Sequence, residues 1–242
     1  MPIYHTDQRK HHLSYGASIG ILLLKTRTRF ILGDVGNACT FDFPVQYKVV
    51  EESSIERLIF NADSTLADPI VKAAIALEQA GVSAITANCG YMALFQKQVS
   101  EAVNIPVFLS SLMQIPFINS IMPKNKSVGV VVADSRHITT SLLRFAGVIN
   151  ANNIFIAGME KQKNFWSAIM DEQGILDSNA IEKEVVAVAS DLRQRAPNIG
   201  AILLECSDLP PYSAAVQEAL KLPVFDFVTM IKYVFSSVAQ NQ

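Results

Sequence analysis

The sequence predicts an α/β protein: two related α/β domains with mainly parallel sheets and an active site in the cleft between them. Three observations carry that expectation. Short β-branched runs alternate with amphipathic helical patterns, the order of a parallel sheet with crossover helices. Two blocks of sequence repeat at one fixed offset. Each copy of the repeat presents a cysteine just past the end of an apolar strand.

Taken in order, ASIGILLL (17–24) reads as the first strand. Asp68 and Pro69 read as an N-cap and a first-turn proline, Ile70, Val71, Ala74, Ile75 and Leu77 as the buried stripe of a helix, and Gly81 as its stop. SAITA (83–87) is a buried strand, and Met92, Phe95 and Val99 after it follow a helical spacing. SVGVVVA (127–133) opens the second series. Asn179 with Glu182 reads as a capping box, and Ile181, Val185, Val188 and Leu192 form the stripe of that helix. AILLE (201–205) is the strand before the second cysteine, and Pro210-Pro211 opens the next helix.

The repeat can be counted. VSAITANCG (82–90) aligns with IGAILLECS (199–207), placing Cys89 on Cys206, 117 residues later. IPVF at 105 and LPVF at 222 obey the same offset, while SIGILLL from Ser18 and SVGVVVA from Ser127 are 109 apart. The expected division is 1–114 plus 226–242 for the half with Cys89, and 115–225 for the half with Cys206.

Composition narrows the function classes. Half of the 242 residues are hydrophobic and 17% are charged, against about 25% in an ordinary soluble protein. The net charge is −2 without a basic cluster, so a nucleic-acid partner is not expected. The longest apolar runs are strand-length, short of the ~18–20 residues of a membrane span, and the first fifteen residues lack a signal-peptide core; the expectation is a soluble, cytoplasmic protein. Three cysteines give neither a disulfide framework nor a zinc clamp, and His5, His11 and His12 lie in a tail read as a frayed terminus, so no metal is expected. Nucleotide-binding glycine motifs are also missing from the sequence.

The chemistry then falls to the thiols. Ligands of open parallel sheets bind beyond the carboxyl ends of the strands, and a helix start there lowers a thiol's pKa and makes it a usable base. A single free cysteine is more often a small buried hydrophobe; two at equivalent points of a repeat favour the reading in which they bracket a substrate carbon from opposite halves. Cys39 has no counterpart and reads as structural. The flanking Asn88, Gly90, Tyr91, Ser207 and Asp208 are expected substrate contacts. Ser110, Ser111, Ser135, Thr139 and Thr140 at strand ends offer hydroxyls or caps, and Arg27 and Arg29 a clamp for a second carboxylate.

ITANCGYM (85–92) and AILLECSDLPPY (201–212), with the two-half plan from Ser18 onward, resemble the aspartate/glutamate racemase superfamily, which includes hydantoin racemases, maleate isomerases and arylmalonate decarboxylases. The resemblance implies a pseudo-twofold pair of α/β domains, a last helix (227–238) returning to the first half, and frequently a homodimer. It also implies cofactor-independent catalysis, with Cys89 and Cys206 as a thiolate/thiol pair on opposite faces of an acidic carbon next to a carboxylate. The activity implied is an amino-acid racemase, or a hydantoin racemase or maleate-type isomerase. Aspartate and glutamate racemases typically follow the first cysteine with Asn-Thr and the second with Thr and His or Glu, where this chain has Gly90-Tyr91 and Ser207-Asp208. A second class of function, a non-catalytic two-lobed binding protein, stands beside the enzyme reading.

Overall fold

The computed structural model describes residues 16–239. His5, His11 and His12, and the reading of their tail, lie outside the described residues. Within them are two all-parallel sheets. Strands β1 (Ile19–Leu24), β2 (Val45–Val50), β3 (Ala84–Ala87) and β4 (Val107–Phe108) lie in the order β2-β1-β3-β4. Strands β5 (Ser127–Val132), β6 (Ile154–Gly158), β7 (Ile199–Leu204) and β8 (Val224–Phe225) repeat that order as β6-β5-β7-β8. Every residue of β3, β5 and β7 is buried, which is why these runs are apolar without alternation. The outer strand β2 is half-exposed and mixed in polarity, and β6 is a short apolar run that is only partly buried.

The helices are α1 (Ala67–Ala80), α2 (Gln96–Ala102), α3 (Ile115–Ile121), α4 (Thr140–Phe145), α5 (Lys163–Phe165), α6 (Ser178–Arg195), α7 (Ser213–Leu220) and α8 (Phe227–Val238). Two caps differ from the sequence expectation. Asp68 lies inside α1, and Asp63 caps the 3₁₀ turn that leads into it, accepting from the Thr65 N–H at 2.9 Å. For α6 the cap is Asp177, bonded to the Ala180 N–H at 3.0 Å, in place of Asn179. In both cases an aspartate a few residues upstream satisfies the free N–H groups first. Gly81 ends α1 at φ +100°, a left-handed conformation that suits glycine.

Two helices cross between the sheets. In α8, Phe227, Met230 and Ile231 are buried with Ile19, Ile21 and Ala84 of the first sheet, and α3 packs against β5 of the second. The duplication also extends to a feature without a sequence signature. Glu56–Phe60 and Trp166–Met170, 110 residues apart, are π-helical turns closed by Asn61 N–H to Glu56 O and Asp171 N–H to Trp166 O, both 2.9 Å. Each is followed by a non-glycine residue in the left-handed region, Ala62 (φ 46°) and Glu172 (φ 53°). Such turns are rare and concentrate at functional sites.

Candidate active site

The carboxyl ends of β3 and β7 meet. The chain leaves β3 through Asn88 and Cys89 into a 3₁₀ turn, Gly90–Phe95, and leaves β7 through Glu205, Cys206, Ser207 and Asp208 toward a second, Pro210–Tyr212. Hydrogen bonds join the two ends. The Ser207 hydroxyl donates to the Asn88 carbonyl, the Ser111 hydroxyl to the Glu205 carbonyl at 2.9 Å, and the Tyr91 hydroxyl to the Asp134 carbonyl at 2.6 Å. Asn88 is buried and its Oδ1 accepts from the Leu24 N–H at 2.6 Å, fastening the Cys89 loop to the end of β1.

Both cysteines line one narrow pocket with a free volume of about 30 Å³, room for a water or two. Asn88, Gly90, Tyr91, Ser207 and Asp208 line it with them. The π-helical turns contribute its apolar wall through Ile55 and Ile59 from one half and Ile169 and Met170 from the other. None of the lining residues is a lysine or arginine. Among the described residues, the buried side-chain oxygens without a hydrogen-bond partner are Thr26 Oγ1, both oxygens of Glu205 and Asp208 Oδ1, and all belong to this pocket. Unsatisfied buried polar atoms cost stability, and their confinement to one cavity makes it the candidate ligand site.

The other residues singled out in the sequence lie elsewhere. Ser110 caps a 3₁₀ turn through the Leu112 N–H at 3.2 Å. Ser135 donates its hydroxyl to Glu160 at 2.6 Å. Thr139 caps α4 through the Leu142 N–H at 3.1 Å, and Thr140 is exposed in its first turn. Arg27 and Arg29 are exposed and face a neighbouring surface pocket that shares only Thr28 with the cysteine pocket. Sequence reasoning overlooked Thr26, Asp34 and the π-turn residues. It left Glu205 unassigned, although a carboxylate ending the apolar run AILLE was a usable signal.

The electrostatics correct one expectation. The Tyr91 N–H points at Cys89 and the Asp208 N–H at Cys206, and both favour thiolates. They are outweighed: burial pushes both thiols well above the usual range, and nearby carboxyl groups push further, chiefly Glu205 at Cys89 and Asp208 at Cys206. Glu205, fully buried, is itself pushed up to about 8 by burial. The Cys206 Sγ donates to Asp208 Oδ2 at 3.4 Å. Asp34 is buried beside Asp208, and both carboxyls are held above the ordinary carboxylate range by burial, Asp34 then further by the Asp208 charge. The site is therefore rich in acids and poor in positive charge.

Solved structures define the class of fold. The chain superimposes on allantoin racemase from Pseudomonas fluorescens with a TM-score of 0.62 at 16% identity, covering 92% of this chain and 90% of that one. For aspartate racemase from Picrophilus torridus the TM-score is 0.56 at 15% identity, with coverage of 93% and 95%. For arylmalonate decarboxylase it is 0.57 at 15%, with 92% of each chain covered. This chain has the fold of the aspartate/glutamate racemase superfamily. In sequence it is similar to a different activity. It is 29% identical to dimethylsulfoniopropionate lyase 3 of Emiliania huxleyi (strain CCMP1516) over 97% of its length and 63% of that protein's. A dimethylsulfoniopropionate lyase of Durusdinium sp. clade D is 27% identical over 93% of this chain and 76% of that protein. The chain thus spans about 63% of the length of the first of these relatives. No family model matches it.

Proposed function

We propose that this chain is a cofactor-independent enzyme that uses a cysteine to remove a proton from the carbon next to a carboxylate, and that the outcome is β-elimination from a sulfonium propionate such as dimethylsulfoniopropionate. The observation that carries the reading is the gathering of both equivalent cysteines and the unpartnered buried oxygens in one pocket.

The charge balance favours a cationic substrate. Two thiols held protonated by burial and by carboxyl groups need a positive charge to ionise, and no lining residue supplies one. A sulfonium brings it. Cys206, with Asp208 3.4 Å away to accept its proton, is the base of this scheme. Its thiolate takes the proton from the carbon next to the carboxylate, the C–H pair becomes the new double bond, and the C–S bond breaks with its electrons on sulfur. Acrylate and dimethyl sulfide leave, Cys206 is again a thiol, and the proton on Asp208 passes to solvent. The pocket as it stands is smaller than such a substrate.

The cysteines' equivalent placement supports a second reading, racemisation of an amino acid or hydantoin. The reading includes two lobes, 1–114 with 226–242 and 115–225, and a cytoplasmic location, where three free cysteines stay reduced. The test is incubation of purified protein, without added cofactor, with dimethylsulfoniopropionate and separately with enantiopure amino acids and hydantoins in heavy water. Acrylate from the first with unchanged Cα–H signals in the others is expected. Exchange in the others without acrylate would replace elimination by racemisation, and silence in all arms would overturn both.

A further inference from the structure

The proposed chemistry requires a carboxylate in the pocket, and so a group that holds it. The usual partner, an arginine or lysine, is missing from the lining. The pocket does hold two hydroxyl-type groups with nothing to bond, Thr26 Oγ1 and the Glu205 carboxyl.

We propose that Glu205 and Thr26 are the carboxylate-binding pair of this site, each donating a hydrogen bond to an oxygen of the substrate's carboxylate.

Glu205 is anchored for this. Its N–H bonds the Val131 carbonyl at 2.8 Å and its carbonyl accepts from Ser111, so the backbone is fixed from both lobes. Its carboxyl lies over Gly90 so closely that a Cβ there would stand 1.8 Å from Oε1. Glycine at 90 is what lets a carboxyl from the second half lie across the first cysteine's turn.

The groups facing this carboxyl set its charge. From the segment after β3 they are Cys89 and Tyr91, and from the segment after β7 they are Cys206 and Asp208. The Tyr91 hydroxyl is spent on the Asp134 carbonyl. Both thiols are held protonated, and Asp208 Oδ2 accepts from Cys206. With no cation among them and Glu205 fully buried, its carboxyl stays neutral to about pH 8 and keeps its O–H. An arriving carboxylate strengthens that preference. As the α-proton leaves, negative charge grows on the substrate carboxylate, where two fixed donors stabilise it most.

The inference rests on the proposed function only for the presence of a carboxylate, and its test measures binding, so absence of turnover leaves it standing. Propionate is titrated into the protein by NMR between pH 6.5 and 9.5. For the unmodified chain, Kd should be flat below about pH 8 and rise toward tenfold per pH unit above it, as Glu205 loses its donor. Glu205→Gln, which keeps an N–H donor at the same place, should bind with no break across that range. Thr26→Val should weaken binding about tenfold at every pH while keeping the break, the loss of one charge-assisted hydrogen bond. A flat Kd in the unmodified chain, or a break that persists in Glu205→Gln, overturns the role of Glu205; unaltered binding in Thr26→Val overturns the role of Thr26.

Discussion

At the end of β3 the chain places Asn88, Cys89 and Gly90; at the end of β7 it places Glu205, Cys206 and Ser207. The backbone routes are equivalent, each strand giving way to a 3₁₀ turn. The chemistry is not. Cys89 has a buried amide before it and a glycine after it, while Cys206 has a neutral carboxyl before it and Asp208 accepting from its thiol at 3.4 Å. A symmetric two-base racemase needs two comparable thiols, whereas a one-way elimination needs one base with an outlet for its proton. The duplicated frame gives the opposed placement, and the unequal neighbours are what favour the proposed elimination over racemisation.

The comparison sharpens first at Glu205, against its counterpart Asn88. Burial raises the Glu205 carboxyl from its ordinary value of 4.5 to about 8. The folded state therefore holds a proton that the unfolded chain releases between those values, and its stability falls as pH rises across that window. Glu205→Gln should be more stable than the unmodified chain by a few kcal/mol at pH 8, on the order expected for such a shift, with no difference below about pH 4.5. Denaturant melts at pH 4.5 and 8 would show it. Equal stability at both pH values would mean that the Glu205 carboxyl is paired or solvated.

A smaller effect is expected at Gly90, against Ser207 in the other half. Gly90→Ala drives a Cβ onto Glu205 Oε1 and should cost about 1–3 kcal/mol, the range of an overpacked core. Glu205→Ala should relieve most of that loss in the double variant, because the two groups are in contact. Independent, additive losses would separate the two halves and break the comparison.

The parts of the fold that were legible in the sequence are those where burial is two-sided. β1, β3, β5 and β7 are apolar runs because almost every one of their residues is buried, and the helix stripe Ile181, Val185, Val188 and Leu192 is buried too. The half-exposed β2 and β6 were not legible, nor were the π-helical turns, which share only Ile59 and Ile169 as identical residues at equivalent positions. A π-turn is a matter of hydrogen-bond register, and no residue type marks it. At the site, the repeat pointed to both cysteines and their neighbours, which the pocket gathers. The sign of the thiol shift was not legible, because local turn geometry favours thiolates, while the opposing effects are burial and, at Cys89, the carboxyl group of Glu205, 116 residues further along the chain. Arg27 resembled an anion clamp in sequence, but β1 ends so that Thr26 enters the pocket and Arg27 faces solvent.

The most direct test compares Cys89→Ser and Cys206→Ser in acrylate formation from dimethylsulfoniopropionate, with folding of each variant checked by its melting curve. Loss of the proposed general base should cost Cys206→Ser about 10²–10⁴ in kcat, and Cys89→Ser should lose at least tenfold less. Equal losses would restore the symmetric two-base mechanism, and acrylate formation at an undiminished rate in Cys206→Ser would contradict the assignment of the proton abstraction to that thiol.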